Sequence, residues 1–376
     1  VEELKDEIQI LEPGQELPVR VVLVPKTLKT PRVIAIEPTA MQYVQQGLMR
    51  LFVSGIEENN LLNNFIGFAD QSPNQRLACE GSRKGTLATL DLSEASDRVL
   101  NQVVERLFAS HPYLNGAVQA CRSTHADVLG EVVNLTKFAS MGSALTFPVE
   151  AMVFLTIIFV AVEKELNRPL VPRDLERYRG KVRVYGDDII VPVDIVESVI
   201  DNLEAFGLKV NRRKSFWNGS FRESCGKEYY AGEDVSIVRV RRVFPTSPAD
   251  AAEAISMVSL RNQLYMSGYW ETCKWLDGEI RKVLTYFPVV LPTSTALGRH
   301  SFLGYTYEKL CPKTHSPLVM AWRDTSRLPS SSLGGHGALA KCLGKTSDLP
   351  FADPRHLMQS GRPQVVNIKL GYCSPF

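Results

Sequence analysis

The sequence predicts an α+β fold built around a split βαβ antiparallel sheet, and three observations carry that prediction. A Gly-Asp-Asp turn (Gly186, Asp187, Asp188) joins two β-branched runs within residues 183–191. A strand-like run over residues 86–90 ends in Asp91 and leads directly into a helical pattern. Between and after them the order is strand, helix, helix, hairpin, helix, strand, which a split βαβ sheet with helices behind it accommodates.

Composition sets the class. With 376 residues, 44% hydrophobic and 22% charged, the chain is ordinary globular material with length for one large or two to three smaller cores, which excludes disordered and fibrous classes. The formal charge is only +2 despite 43 Lys and Arg, so a nucleic-acid surface must come from local clusters. Such clusters fall at residues 26–32, 173–183, 209–214 and 239–242. Seven cysteines without paired metal-ligand spacing predict free thiols of a reducing cytoplasm and no zinc site. The longest apolar run, residues 151–162, is shorter than a bilayer span and no signal peptide opens the chain, so a soluble intracellular protein with no membrane partner is expected. Val1, rather than Met, stands first within an amphipathic segment, and a preceding N-terminal portion is expected.

In chain order, a strand over residues 19–24 and another over 33–36 flank a Pro-bounded loop holding Lys26, Lys29 and Arg32. Three cations there suit a polyphosphate, Arg as a bidentate fork and Lys as a point charge, and Glu37 is placed to orient one of them. A helix is predicted over 39–52, then an Asn-rich loop over 57–64. After Asp91, the spacing of Val99, Val103 and Leu107 and of Leu100, Val104 and Phe108 predicts a helix with one core face, capped by Ser93 or Ser96. The small residues Ser140, Gly142, Ser143 and Ala144 make a loop that permits close backbone approach. A helix buried all round begins near Thr146, with Pro148 in its first turn.

Glycine beside aspartate between apolar runs signals a hairpin, because both tolerate the positive φ of a tight turn. Two adjacent carboxylates at its tip resist joint ionisation unless a cation neutralises them. An amphipathic helix over 193–206 follows, with Ile195, Val199, Ile200 and Leu203 inward and Gly207 ending it; then come a strand over 208–210, a basic stretch to Lys214 and a hairpin through Arg241. Residues 249–285 read as helical, residues 328–343 as a Ser- and Gly-rich linker, and the remainder as a short Pro-rich tail.

Two acidic sites at strand ends, about ninety residues apart, with a phosphate-gripping loop upstream, describe a two-metal phosphoryl-transfer site. Mg2+ suits such hard oxygen ligands; two ions are expected, with Mn2+ as a substitute.

These segments carry a resemblance. The chain resembles an RNA-directed RNA polymerase, specifically the replicase catalytic (beta) subunit of the leviviruses, the single-stranded RNA bacteriophages. Residues 91–97 (DLSEASD) are similar to that family's first palm motif, Ser140-Met141-Gly142 with Thr146-Phe147 to its second, and residues 185–190 (YGDDII) to its third. Residues 34–38 (IAIEP) match its fingers motif and residues 221–226 (FRESCG) a segment characteristic of these replicases.

The resemblance implies a right-hand polymerase fold with fingers over 1–85 and 111–139, palm over 86–110 and 140–244, thumb over 245–325 and a C-terminal tail over 326–376. It makes Asp91, Asp187 and Asp188 the metal ligands and Asp97 the reader of the ribose 2′-OH. Ser140, Gly142 and Thr146 join Asp97 at the nucleotide, and Lys26, Lys29 and Arg32 hold the triphosphate. Lys214 becomes the proton donor to pyrophosphate, with Lys209, Arg212 and Arg213 as rivals. One departure is Ser143, where relatives often carry Asn to support 2′-OH recognition. Implied partners are RNA template and product, ribonucleoside triphosphates, host elongation factors Tu and Ts and a ribosomal protein, in the cytoplasm of the bacterial host. A reverse transcriptase shares the palm and the Asp-Asp hairpin, but Gly186 and residues 221–226 favour an RNA product. An inactive RNA-binding remnant is the remaining alternative, and the intact Asp91, Asp187 and Asp188 speak against it.

Overall fold

A computed structural model describes residues 12, 15–25, 31–327, 336–337 and 365–376. They fall into two compact units, the first through Ile237 and the second from Val238 onward.

The first unit opens with β1 (Val19–Pro25) and β2 (Pro31–Ile36), then α1 (Thr39–Glu57), α2 (Ser72–Lys84) and β3 (Leu87–Asp91). Next come α3 (Ala95–Arg98), α4 (Asn101–Leu107), α5 (Pro112–Ala120), β4 (His125–Val128) and β5 (Glu131–Asn134). The long α6 (Thr146–Leu166) and short α7 (Pro172–Tyr178) precede the hairpin of β6 (Arg183–Tyr185) and β7 (Asp188–Pro192). The unit closes with α8 (Val196–Ala205) and a meander of β8 (Phe221–Ser224), β9 (Lys227–Tyr230) and β10 (Glu233–Asp234).

The sheet that organises this unit is antiparallel, in the order β3-β7-β6. Its buried residues Ala88, Leu90, Val184, Ile189 and Val191 join one core with α6 and α8. The amphipathic reading of α8 holds, with Ile195, Val199, Ile200 and Leu203 all buried, although a 3₁₀ turn over Val193–Ile195 precedes the helix. The helix α6 runs for 21 residues and contains an 18-residue window with a mean hydropathy of 1.9, so it is long and apolar enough to cross a bilayer, contrary to the shorter run expected. Two thirds of that window is buried within the protein, as suits a core helix. A separate sheet, β2-β1-β4-β5, joins the N-terminal hairpin to residues 125–134.

Four expectations need correcting. The helix after Asp91 is split, because Val99 turns extended and its carbonyl accepts the Phe138 N–H, so tertiary pairing overrides the helical period. Neither Ser93 nor Ser96 caps it; the N-cap is Glu94, in a left-handed conformation. Residues 208–210 form no ladder strand, only a single bridge from Val210 to Leu92, with a second from Phe216 to Thr89 further along the chain. Between those bridges the Asn211 N–H donates to the Asp91 carbonyl at 2.9 Å. Finally, the second hairpin ends at Asp234, well short of Arg241.

The second unit holds α9 (Ala251–Met266) and α10 (Trp270–Val283), then β11 (Ala296–Leu297), β12 (Lys309–Leu310), β13 (Pro317–Arg327) and β14 (Val365–Cys373). Its core includes Met257, Val258, Leu276, Ile280 and Ile368. Thus the region read as a Pro-rich tail contains a nine-residue strand, paired antiparallel along β13. The linker read at 328–343 lies largely outside the described residues, as do Lys26 and Lys29.

Candidate active site

The Gly-Asp-Asp segment is a two-residue hairpin loop, because Tyr185 pairs with Asp188 across Gly186 and Asp187. Only Gly186 has a positive φ, +57°, the pattern of a type II′ turn, so the aspartates do not use the left-handed region. Space imposes the glycine a second time. A Cβ at Gly186 would stand 2.5 Å from the Phe147 ring, which also packs edge-on against Tyr185. The Tyr185 hydroxyl donates to the Phe68 carbonyl at 2.9 Å and anchors the near strand.

Strand β7 then pairs with β3 in a register that sets Asp188 directly opposite Asp91. Opposed residues of an antiparallel pair project from the same face, with Cβ atoms about 4.5–5.5 Å apart, and like charges there repel. Burial, with help from the neighbouring Asp187 and Asp91 charges, pushes the Asp188 carboxyl up to about 6. Hydrogen bonds from the Cys225 N–H (3.1 Å) and the Ser224 hydroxyl (3.2 Å), both to Oδ1, pull the other way. Asp91 is fixed from the opposite edge: Asn211 Nδ2 donates to its Oδ2 at 2.9 Å, and its own N–H donates to Ser215 Oγ. Asp187 is exposed at the tip.

Among the described residues, no group of three or more His, Cys, Asp or Glu is clustered tightly enough to enclose an ion. The donor set nevertheless fits Mg2+, which keeps several waters and shares its shell between one or two carboxylates and substrate phosphates. A cation between Asp91 and Asp188 would offset both the burial of the Asp188 charge and the smaller repulsion from its neighbours.

Behind the hairpin, the Ser140–Gly142 loop meets β2. The Ala35 N–H donates to the Met141 carbonyl at 2.9 Å, and Gly142 has φ +136°. A Cβ there would fall 1.9 Å from the Ala35 oxygen. The Asp97 residue is exposed overall, yet burial of its carboxyl raises its pKa while the Met141 N–H hydrogen bond lowers it. The Thr146 hydroxyl donates to the Ser140 carbonyl and closes the loop, whereas Ser143 donates to Gln45. Glu37 takes a different partner from the one expected: it is buried, accepts from Ser123 and Gln45, and has Arg122 as a nearby charge.

A family model described as RNA replicase, beta-chain matches residues 16–308. The chain belongs to the RNA replicase beta-chain family. It is 36% identical to the RNA-directed RNA polymerase beta chain of Enterobacteria phage fr, over 59% of this chain and 37% of that one. It is 35% identical to the beta chain of Escherichia phage MS2 (63% and 39%) and 35% identical to the beta subunit of Escherichia virus Qbeta (67% and 40%). The chain thus spans about two fifths of the length of the curated relatives it matches.

Within this replicase chain, the structure gathers Asp91, Asp187 and Asp188 at one end of one sheet, and sets Asp97, Ser140, Gly142 and Thr146 around one loop. Arg32 is exposed at the start of β2. Lys214 is exposed in the turn that begins at Asn211, while its rival Arg212 leans on Glu204 at 3.6 Å. Sequence reasoning missed Asn211, Ser215, Ser224 and Glu150. Glu150 is buried on α6, where burial followed by the Asp187 and Asp97 charges pushes its carboxyl up to about 8. Its signal was legible, a lone carboxylate inside a run of Phe, Val and Ile.

Proposed function

We propose that this chain carries the nucleotidyl-transfer core of an RNA-directed RNA polymerase that replicates a viral RNA genome from ribonucleoside triphosphates. The observation that supports it most is the cross-strand pairing of Asp91 with Asp188 at an Asp-Asp hairpin, within a member of the replicase beta-chain family. Fingers over 1–85 and 111–139, palm over 86–110 and 140–244 and thumb over 245–325 are the layout that goes with it. The β1–β4 pairing supports grouping the first two segments.

Two Mg2+ ions held by Asp91, Asp187 and Asp188 would supply activation of the attacking 3′-hydroxyl and charge neutralisation at the leaving pyrophosphate. The protein's own groups do the positioning. Arg32, with Lys26 and Lys29, grips the triphosphate; Asp97 reads the 2′-OH beside the Ser140–Gly142 loop; and Lys214 gives its proton to the pyrophosphate. Host elongation factors Tu and Ts and a ribosomal protein, in the bacterial cytoplasm, complete the reading.

The test compares ribonucleotide with deoxyribonucleotide incorporation on an RNA template. Preferential incorporation of ribonucleotides is expected. Preference for deoxyribonucleotides would make the protein a reverse transcriptase, and RNA affinity without incorporation would make it an inactive remnant.

The second unit offers a surface for the RNA backbone, a groove of about 320 Å3 whose lining includes Arg239, Arg241, Arg242, Ser256, Ser259 and Gln263. Glu253 engages Arg242 at 2.8 Å. Each phosphate contact contributes roughly 0.7–0.9 to the slope of log affinity against log salt. Arg241→Ala is therefore expected to lower that slope by about this amount in filter binding, leaving incorporation at saturating RNA unchanged. An unaltered slope would remove the groove from the RNA path.

A further inference from the structure

The Phe221–Ser224 strand and the turn after it contain an arrangement that sheet packing alone does not require. Arg222 is fully buried, and its guanidinium donates to five backbone carbonyls: Leu87 (2.6 Å), Phe221 (2.6 Å), Gly219 (3.0 Å), Trp217 (3.2 Å) and Asn218 (3.4 Å). Burying a charge carries a desolvation cost, and an apolar side chain of similar volume would fill the same space without it. What the guanidinium adds is rigidity. It ties the 217–221 loop and the start of β8 to Leu87, on the strand that ends in Asp91.

Two residues further on, the effect reaches Asp188. Ser224 pairs with Lys227 across a two-residue turn in which Cys225 and Gly226 both have positive φ, +50° and +71°. A side chain in that region is strained relative to glycine. The conformation aims the Cys225 N–H at Asp188 Oδ1, while the Cys225 carbonyl accepts from Gln75 Nε2 at 3.1 Å on α2. Both backbone groups of Cys225 are thus held. The buried Ser224 hydroxyl reaches the same Oδ1.

We propose that the Ser224–Cys225 turn, locked by Arg222 and Gln75, is the positioning element of the ion site: it commits Asp188 Oδ1 and leaves Oδ2 to face the cation. This rests on the polymerase reading above, and it gives residues 221–226 a role in the chemistry that their place in a peripheral meander does not suggest. These groups act through Asp188, as hydrogen-bonding partners of metal ligands generally do, with effects of about 10–100-fold on metal affinity.

The test is Mn2+ binding, followed by electron paramagnetic resonance, to the nucleotide-free protein, with the melting temperature of each metal-free variant as the check on folding. Asp188→Asn should remove the site. Ser224→Ala should weaken Mn2+ about tenfold, and Gln75→Leu, which frees the Cys225 carbonyl without touching Asp188, should weaken it severalfold. Cys225→Gly keeps the N–H and relieves the backbone, so its affinity should stay within about twofold of wild type while its melting temperature rises. Wild-type Mn2+ affinity in folded Ser224→Ala or Gln75→Leu would overturn the positioning role and leave the polymerase reading intact. Wild-type protein without a Mn2+ site sensitive to Asp188→Asn would overturn both.

Discussion

Asp188→Asn is expected to reduce nucleotide incorporation at least 10²-fold while raising the melting temperature of the metal-free protein. In the proposed mechanism the first effect follows from removing a charge where the transferring phosphates would be neutralised, in a reaction that depends on positioning and electrostatic stabilisation. Asp91→Asn should do the same, since it stands opposite on β3. The second effect follows from the raised carboxyl. Folding holds the Asp188 proton up to about pH 6, above the ordinary aspartate value of 3.8. Its contribution to stability is therefore present below pH 4 and lost as pH rises through 6, a swing of at most about 3 kcal/mol. Asparagine keeps the acceptor for Ser224 and Cys225 and carries no charge, so the variant should lose that pH dependence. Melting curves from pH 4 to 8 without metal check this, and a variant that melts like wild type across the range would contradict the electrostatic account. RNA affinity should survive both substitutions, because phosphate contacts elsewhere dominate it.

The largest stability loss is expected from Gly142→Ala. At φ +136° the backbone is in a region that side chains rarely occupy, and the new Cβ would fall 1.9 Å from a backbone oxygen rather than from a side chain that can swing away. Strain at such a position costs 1–3 kcal/mol and the forced displacement of β2 adds to it, for a total on the order of 3–5 kcal/mol. Incorporation should fall with it, because the Met141 N–H that steadies Asp97 belongs to the same loop. Gly55→Ala is the control: the site is on α1 with nothing within 4 Å of the added carbon, and a gain of about 0.5–1 kcal/mol is expected. Chemical denaturation of the two variants decides the matter, and equal midpoints would show that the Ser140–Gly142 loop is not held against β2.

The hairpin was legible because its information is local: β-branched runs on both sides of a Gly-Asp pair specify the turn, and Asp91 follows its strand directly. The meeting of Asp91 with Asp188 depends on a register between strands about ninety residues apart, which no local pattern encodes. The residues that hold those carboxylates were less legible still. Asn211 and Ser215 belong to an irregular segment that reads as a basic loop, and Ser224 precedes a Cys-Gly turn whose first residue is a poor signal for positive φ. The broken helix after Asp91 and the strand β14 share one cause. In each, pairing with a distant segment, Lys137–Phe138 in the first and β13 in the second, outweighs the local propensity.

The central claim is that the Asp91–Asp188 end of the sheet joins ribonucleotides in an order set by RNA. It is tested most directly by incorporation of labelled ribonucleotides on four RNA templates that differ at a single base, with Mg2+ and with a chelator. Incorporation that follows the template base, changes partner with each substitution and stops when the metal is chelated is the expected result. Incorporation independent of the template base, or undiminished by the chelator, would contradict the claim.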